Sequence, residues 1–254
     1  MEISIISIGN EVLKGHTSNS NYTFIARQST LMGNHVRRGY TVSDDPAEIS
    51  WALGDALSHS DLIITTGGLG PTYDDMTLES IAGALNLSLE NNSDAMEMLR
   101  KRMLPRNIPL TQERMKMAVL PKGSEPVFNP VGSAPGVLIT HNGRQILCLP
   151  GVPQEMEAIF NSIRERFQNS DLHYYEESLE FPGTMEGEMA PLIKEEMKKL
   201  GDRLYIKSHP LSGSGSGYSV MLEISSYNED YSEARKLVKE ELELFRKTFG
   251  KKDQ

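Results

Sequence analysis

Two short apolar runs frame the first part of the chain: Ile3-Ser4-Ile5-Ile6-Ser7-Ile8 at its start and Leu62-Ile63-Ile64-Thr65 further on. Runs of this length, bounded by turn residues, suit strands of a parallel sheet covered on both faces. Between them the pattern changes to helical spacing. A helix is expected from about Asn21 to Met32, ended by Gly33, followed by a strand over Val36–Val42. Asp45-Pro46, a capping residue followed by proline in the first turn, then opens a helix in which Ile49, Leu53 and Ala56 share a face. A further helix runs from Thr77 to Leu85. This order predicts an α/β fold of three layers around a parallel sheet, with ligands expected at the carboxyl ends of the strands.

Further along, Ser93–Met103 and Thr111–Ala118 read as helices. Val137–Thr140 and Gln145–Leu149 flank Asn142-Gly143, a two-residue hairpin turn. Pro153 starts a helix whose Met156, Ile159, Phe160, Ile163 and Phe167 keep helical spacing. A strand over Tyr174–Phe181, a helix over Glu186–Leu200, strands at Leu204–Ser208 and Tyr218–Tyr227 and a helix from Asp230 to Phe249 complete the chain. The alternation of Val220, Leu222 and Ile224 predicts a sheet with one helix-covered face. Two domains are expected: 1–168, and a small α+β domain over 169–254. Ser212–Gly217, alternating serine and glycine, reads as a mobile loop between strands.

Composition narrows the function. The formal charge of −9 over 254 residues argues against a general nucleic-acid binder, which wants a basic face. Cys148 is the only cysteine, so no internal disulfide or thiolate metal cluster is available. Its apolar setting, Ile146-Leu147-Cys148-Leu149, predicts a buried, inert thiol. The start of the chain lacks the basic and long apolar segments of a signal peptide, and no stretch is long enough to span a bilayer. A cytoplasmic protein without membrane contact is expected.

The chemistry concentrates in Thr65-Thr66-Gly67-Gly68-Leu69-Gly70-Pro71-Thr72-Tyr73-Asp74-Asp75-Met76-Thr77. Gly67, Gly68 and Gly70, between a strand and a helix, let backbone N–H groups approach an anion, and the helix adds its positive end. Neither the dinucleotide-binding fingerprint nor the P-loop spacing is present. Asp74 and Asp75 would repel a phosphate unless a hard cation lies between, so both are candidate ligands of a divalent metal, Mg²⁺, Mn²⁺ or Co²⁺. The alternative is that Asp75 caps the following helix while Asp74 is solvated. Asp44 and Asp45 close another strand: Asp45 is expected to cap and Asp44 to reach the site. Glu11, after the first strand, is a candidate for orienting or deprotonating water. Thr72, Asn21, Ser133 and Gly151 are candidate ligand contacts, the last two in Pro/Gly turns.

These residues together resemble the CinA family (competence/damage-inducible protein A). The glycine loop looks like its hallmark. Gly9-Asn10-Glu11-Val12-Leu13-x-Gly15, Asn19-Ser20-Asn21, Gly132-Ser133-Ala134-Pro135-Gly136 and Leu149-Pro150-Gly151-Val152-Pro153-x-Glu155-Met156 match in order. The family's first domain is similar to the molybdopterin-binding proteins MoaB and MogA, and Asp44 and Asp75 match two aspartates that those relatives use. Three departures stand out. Leu69 and Asp74 stand where those relatives have threonine and arginine. Asn10 and Asn19 stand where aspartate is common. No segment corresponds to the nicotinamide-nucleotide amidohydrolase domain of full-length members, so no deamidation of that nucleotide is expected.

The resemblance implies a metal-dependent phosphoanhydride hydrolase of nucleoside diphosphate sugars, with ADP-ribose the expected substrate, and a homo-oligomer. On that reading Asp75, Asp74, Glu11 and Asp44 are the catalytic set. The alternatives are a protein that binds molybdopterin or a nucleotide without hydrolysis, and a nucleotide-binding module acting through partners.

Overall fold

The computed structural model describes residues 1–212 and 218–250. Gly213–Gly217, most of the Ser212–Gly217 loop expected above, lies outside them. The chain divides into two compact units, Met1–Thr30 with Asn34–Gln168, and Leu31–Gly33 with Asn169–Gln254.

The first unit is built in chain order from β1 (Glu2–Ile8), α1 (Asn10–Leu13), α2 (Ser20–Leu31), β2 (His35–Val42), α3 (Pro46–His59), β3 (Leu62–Thr66) and α4 (Thr77–Ala84). There follow β4 (Leu89–Asn91), α5 (Ser93–Met103), α6 (Gln112–Lys116), β5 (Val119–Pro121), β6 (Glu125–Val127), β7 (Gly136–His141), β8 (Arg144–Leu149) and α7 (Pro153–Ile163). The two apolar runs are the central strands β1 and β3, and every residue of β3 is buried. Six strands lie in the order β2-β1-β3-β8-β7-β6. Ile6, Ile8 and Ile63 join Ile49 and Leu53 of α3 in one core cluster, while Ile3 and Ile5 point the other way by strand alternation. Asp45 caps α3 by accepting the N–H groups of Ala47 and Glu48. Cys148 is fully buried, and burial pushes its thiol up to about 12.

The sheet is not wholly parallel. β2, β1, β3 and β8 run together, whereas β8–β7 and β7–β6 are antiparallel. The hairpin at Asn142-Gly143, both at positive φ, forces that reversal. Strands β4, β5 and β6, three residues each, are too short to show a period and were not foreseen. Met117 and Ala118 fall outside α6, which Thr111 caps.

The second unit comprises β9 (His173–Pro182), α8 (Glu186–Leu200), β10 (Tyr205–Ser212), β11 (Tyr218–Asn228) and α9 (Tyr231–Phe249). Its antiparallel sheet has the order β10-β11-β9. Val220, Leu222 and Ile224 pack with Phe181, Met189, Val238 and Phe245, so one face is covered by the helices.

Among the described residues of this unit two carboxylates are buried: Glu196 of α8, 4% exposed, and Glu241 of α9, 7% exposed. Lys199 donates to Glu196 at 2.9 Å, while Glu241 Oε1 has no partner among the described residues. Burial first, and the Glu196 charge second, push the Glu241 carboxyl above its ordinary range. A raised carboxyl pKa leaves stability untouched where both states are protonated. The penalty grows as pH rises from the unfolded pKa through the folded one. Glu241→Gln is therefore expected to stabilise this unit at pH 7 by about 1 kcal/mol, a Tm rise of several degrees, with the gain vanishing below about pH 4. Calorimetry across that pH range checks it; an equal gain at every pH would contradict the assignment.

Candidate functional site

At the carboxyl ends of β1 and β3 the first unit opens into a cleft of about 620 Å³. Its floor is the glycine loop. Gly67 and Gly68 hold φ of +108° and +65°, conformations that L side chains rarely adopt. A Cβ on Gly67 would also strike the Ile8 carbonyl oxygen, and one on Gly68 the Thr77 hydroxyl. The loop is stitched to its surroundings. Gly67 N–H donates to the Leu149 carbonyl at 3.0 Å, and the Thr77 hydroxyl donates to the Gly67 carbonyl at 2.9 Å. Gly67 N–H is thereby engaged, while the N–H groups of Gly68, Leu69 and Gly70 have no partner among the described residues. The available cradle is thus these three amides, without that of Gly67.

Asp74 and Asp75 converge on one hydroxyl, that of Thr72. Asp75 also accepts the Thr72 N–H at 2.8 Å. It does not cap α4, whose first turn follows Met76 without any side-chain cap. Lys116 of α6 donates to the Asp75 carbonyl at 2.8 Å and pairs with Glu79, holding the loop from below. The Thr72 hydroxyl, with Asp74's own backbone N–H, holds the Asp74 carboxyl below the ordinary carboxylate range. Such a carboxylate is a good ligand and a weak base.

Asp44 lines the cleft as well, its Oδ2 accepting both the backbone N–H and the side-chain amide of Asn10 at 2.9 Å. An aspartate at position 10 could not donate that side-chain bond. Glu11, Ser133 and Gly151 line the cleft too. Thr72 and Asn21 do not: Thr72 braces the two aspartates, and Asn21 lies beside a neighbouring pocket. Among the described residues no group of three His, Cys, Asp or Glu side chains is placed to hold a metal ion. Asp74 and Asp75 alone make no cation cage, so a metal ion here would draw its remaining ligands from a bound phosphate and water.

Two charged lining residues had no role in the sequence reading: Arg114, which it missed, and Glu155, which it saw only as part of a motif. Arg114, on α6, is the cleft's sole basic residue among those described, and its guanidinium also donates to the Pro109 carbonyl at 2.8 Å. Nothing local marks it, since it enters the site only through the fold of the 93–118 segment. Glu155, on the first turn of α7, accepts from Asn129 at 2.7 Å and lies over Gly132. Asn129 in turn accepts the N–H groups of Val131 and Gly132 and donates to the Ala134 carbonyl, which shapes the loop carrying Ser133.

Residues 4–168, the segment that builds this sheet and cleft, match the family described as probable molybdopterin binding domain. A protein of Caldivirga maquilingensis is 45% identical over 240 residues, 94% of this chain and 93% of that one. One from Sulfolobus acidocaldarius is 45% identical over 239 residues, 93% and 90% of the two chains. Among solved structures, the protein CinA of unknown function from Thermoplasma acidophilum is 44% identical with a TM-score of 0.62, covering 65% of this chain and 96% of that one. The chain belongs to the probable molybdopterin-binding family and, within it, to the CinA proteins. Among the described residues no helix is long and apolar enough to cross a membrane.

Proposed function

We propose that the cleft binds a small phosphorylated pterin or nucleotide and that the protein acts by binding it. The carrying observation is the division of charge in the cleft. Gly68–Gly70 amides and Arg114 supply anion recognition, while Glu11, Asp44, Asp74, Asp75 and Glu155 supply a surplus of acceptors. A simple polyanion suits that mixture poorly. A ligand with a phosphate at one end and a donor-rich ring at the other suits it well, because a carboxylate accepts two parallel N–H bonds from the 2-amino-pyrimidinone edge of pterins and guanine. Membership in a family of probable molybdopterin-binding domains supports the same reading. On the hydrolase alternative the general base would be Glu11, because the Asp74 carboxylate, tied to Thr72, is a poor one.

The test is calorimetric titration with inorganic pyrophosphate, ADP, GDP and a pterin phosphate, with and without Mg²⁺, alongside an assay for release of AMP from ADP-ribose. The expected result is binding of a ring-bearing phosphate tighter than pyrophosphate, without turnover. Steady release of AMP in the presence of Mg²⁺, Mn²⁺ or Co²⁺ would replace this reading with the hydrolase. Asp75→Asn separates the roles of the aspartates. It keeps an oxygen for the Thr72 N–H but removes a charge, so the gain in affinity on adding Mg²⁺ is expected to shrink about tenfold. An unchanged Mg²⁺ effect would take the cation away from Asp75.

A further inference from the structure

Trp51, the only tryptophan of the chain, stands on α3 with 61% of its surface exposed. It is braced from one side. The Tyr40 ring of β2 meets it edge-on at 6.1 Å, and the Tyr40 hydroxyl donates to Asp55 at 2.6 Å. A large apolar ring left in water loses the free energy of its burial, and tryptophan is enriched at the energetic centres of protein interfaces. One residue before it, Ser50 lines a groove of about 230 Å³ between α3 and α4. Pro46, Met76, Gly83 and Ala84 give that groove apolar or small walls. Gly83 is exposed inside α4, and a Cβ there would meet nothing within 4 Å, so packing within the chain does not demand a glycine.

The polar side chains of the groove can only accept. The Ser50 hydroxyl gives its proton to the Pro46 carbonyl at 2.6 Å and the Ser80 hydroxyl gives its own to the Met76 carbonyl at 2.8 Å, while Glu79 is a carboxylate. An indole is an apolar ring that carries one N–H and no acceptor, which is the matching chemistry. Trp51 and the groove lie side by side on the same two helices. A single two-fold axis therefore sets the indole of each copy in the groove of the other and closes the assembly at two chains. Any other side chain in the groove would leave Trp51 bare. We infer that this face of α3 and α4 joins two copies of the chain, with Trp51 of each docked in the groove of its partner. The homo-oligomer expected from the sequence leaves surface and symmetry open; this interface assigns both, whatever the cleft binds.

The experiment follows the full chain by sedimentation velocity and by Trp51 emission over a concentration series spanning the micromolar range, where interfaces of this small class dissociate. The mass is expected to rise from one chain to two. Emission should move to shorter wavelength with the same midpoint, because docking takes the indole out of water. Trp51→Ala, and Gly83→Gln, which fills the groove, are each expected to raise the midpoint at least about tenfold. Both positions are exposed, so the fold is kept. Gly83→Gln also keeps the reporter, whose emission should then stay at its exposed wavelength in the monomer range and beyond. A single chain at every concentration would overturn the interface. So would a dimer that forms without any shift in emission, or one whose midpoint either variant leaves unchanged.

Discussion

Gly67→Ala is expected to abolish binding of any phosphate-bearing ligand and to destabilise the first unit by about 3 kcal/mol. Two independent effects combine. Residue 67 holds φ at +108°, where alanine is strained, and the new methyl would meet the Ile8 carbonyl oxygen. That oxygen belongs to β1 at the centre of the sheet, so it cannot move aside as a side-chain tip could. The loop must shift instead. It then loses the Gly67–Leu149 hydrogen bond and displaces the Gly68–Gly70 amides. Gly54→Ala is the control. Gly54 lies inside α3, where a Cβ meets nothing within 4 Å, and the change is expected to be neutral or stabilising by about 0.5–1 kcal/mol. Thermal unfolding and pyrophosphate titration on both variants check the contrast. A Gly67→Ala protein with wild-type Tm and affinity would remove the loop from the site.

Arg114→Ala is expected to weaken binding of phosphate-bearing ligands by about 10–100-fold while shifting Tm little. In a cleft lined by five carboxylates, a single guanidinium provides the positive charge that a phosphate meets besides the loop amides. Its loss leaves those carboxylates facing the anion uncompensated. The bond to the Pro109 carbonyl is also lost, but that residue is exposed on a connecting segment and water takes its place. Arg114→Lys should recover part of the affinity, since the charge returns without the bidentate fork. Raising salt should weaken the wild type more steeply than the alanine variant. Equal affinities in wild type and Arg114→Ala would show that the loop and any bound cation suffice.

Much of the first unit could be read directly. The apolar runs became the central strands, Asp45-Pro46 capped α3, and Asn142-Gly143 made the hairpin. The glycine loop with Asp44, Asp75, Glu11, Ser133 and Gly151 was collected at one end of the sheet. The strands, the cap and the hairpin follow from forces acting within a few residues: side-chain period, a cap bond, a turn dihedral. The short strands β4–β6 escaped because three residues carry no period.

The sequence by itself determined most of the strands and helices, though not α1, the short strands β4–β6 or the end of α6, and that a glycine-rich, acidic loop leaves a central strand. Only the tertiary structure decided what those residues do. It turned Asp75 from a possible helix cap into a partner of Thr72, engaged Gly67 N–H with Leu149, and moved Asn21 out of the main cleft. It also brought Arg114 into the cleft from a segment with no local signal, and placed Glu155 of the Leu149–Met156 motif in the cleft wall. The reason is physical. Local structure depends on neighbours along the chain, whereas charge balance and hydrogen-bond satisfaction depend on groups that only the path of the backbone brings together.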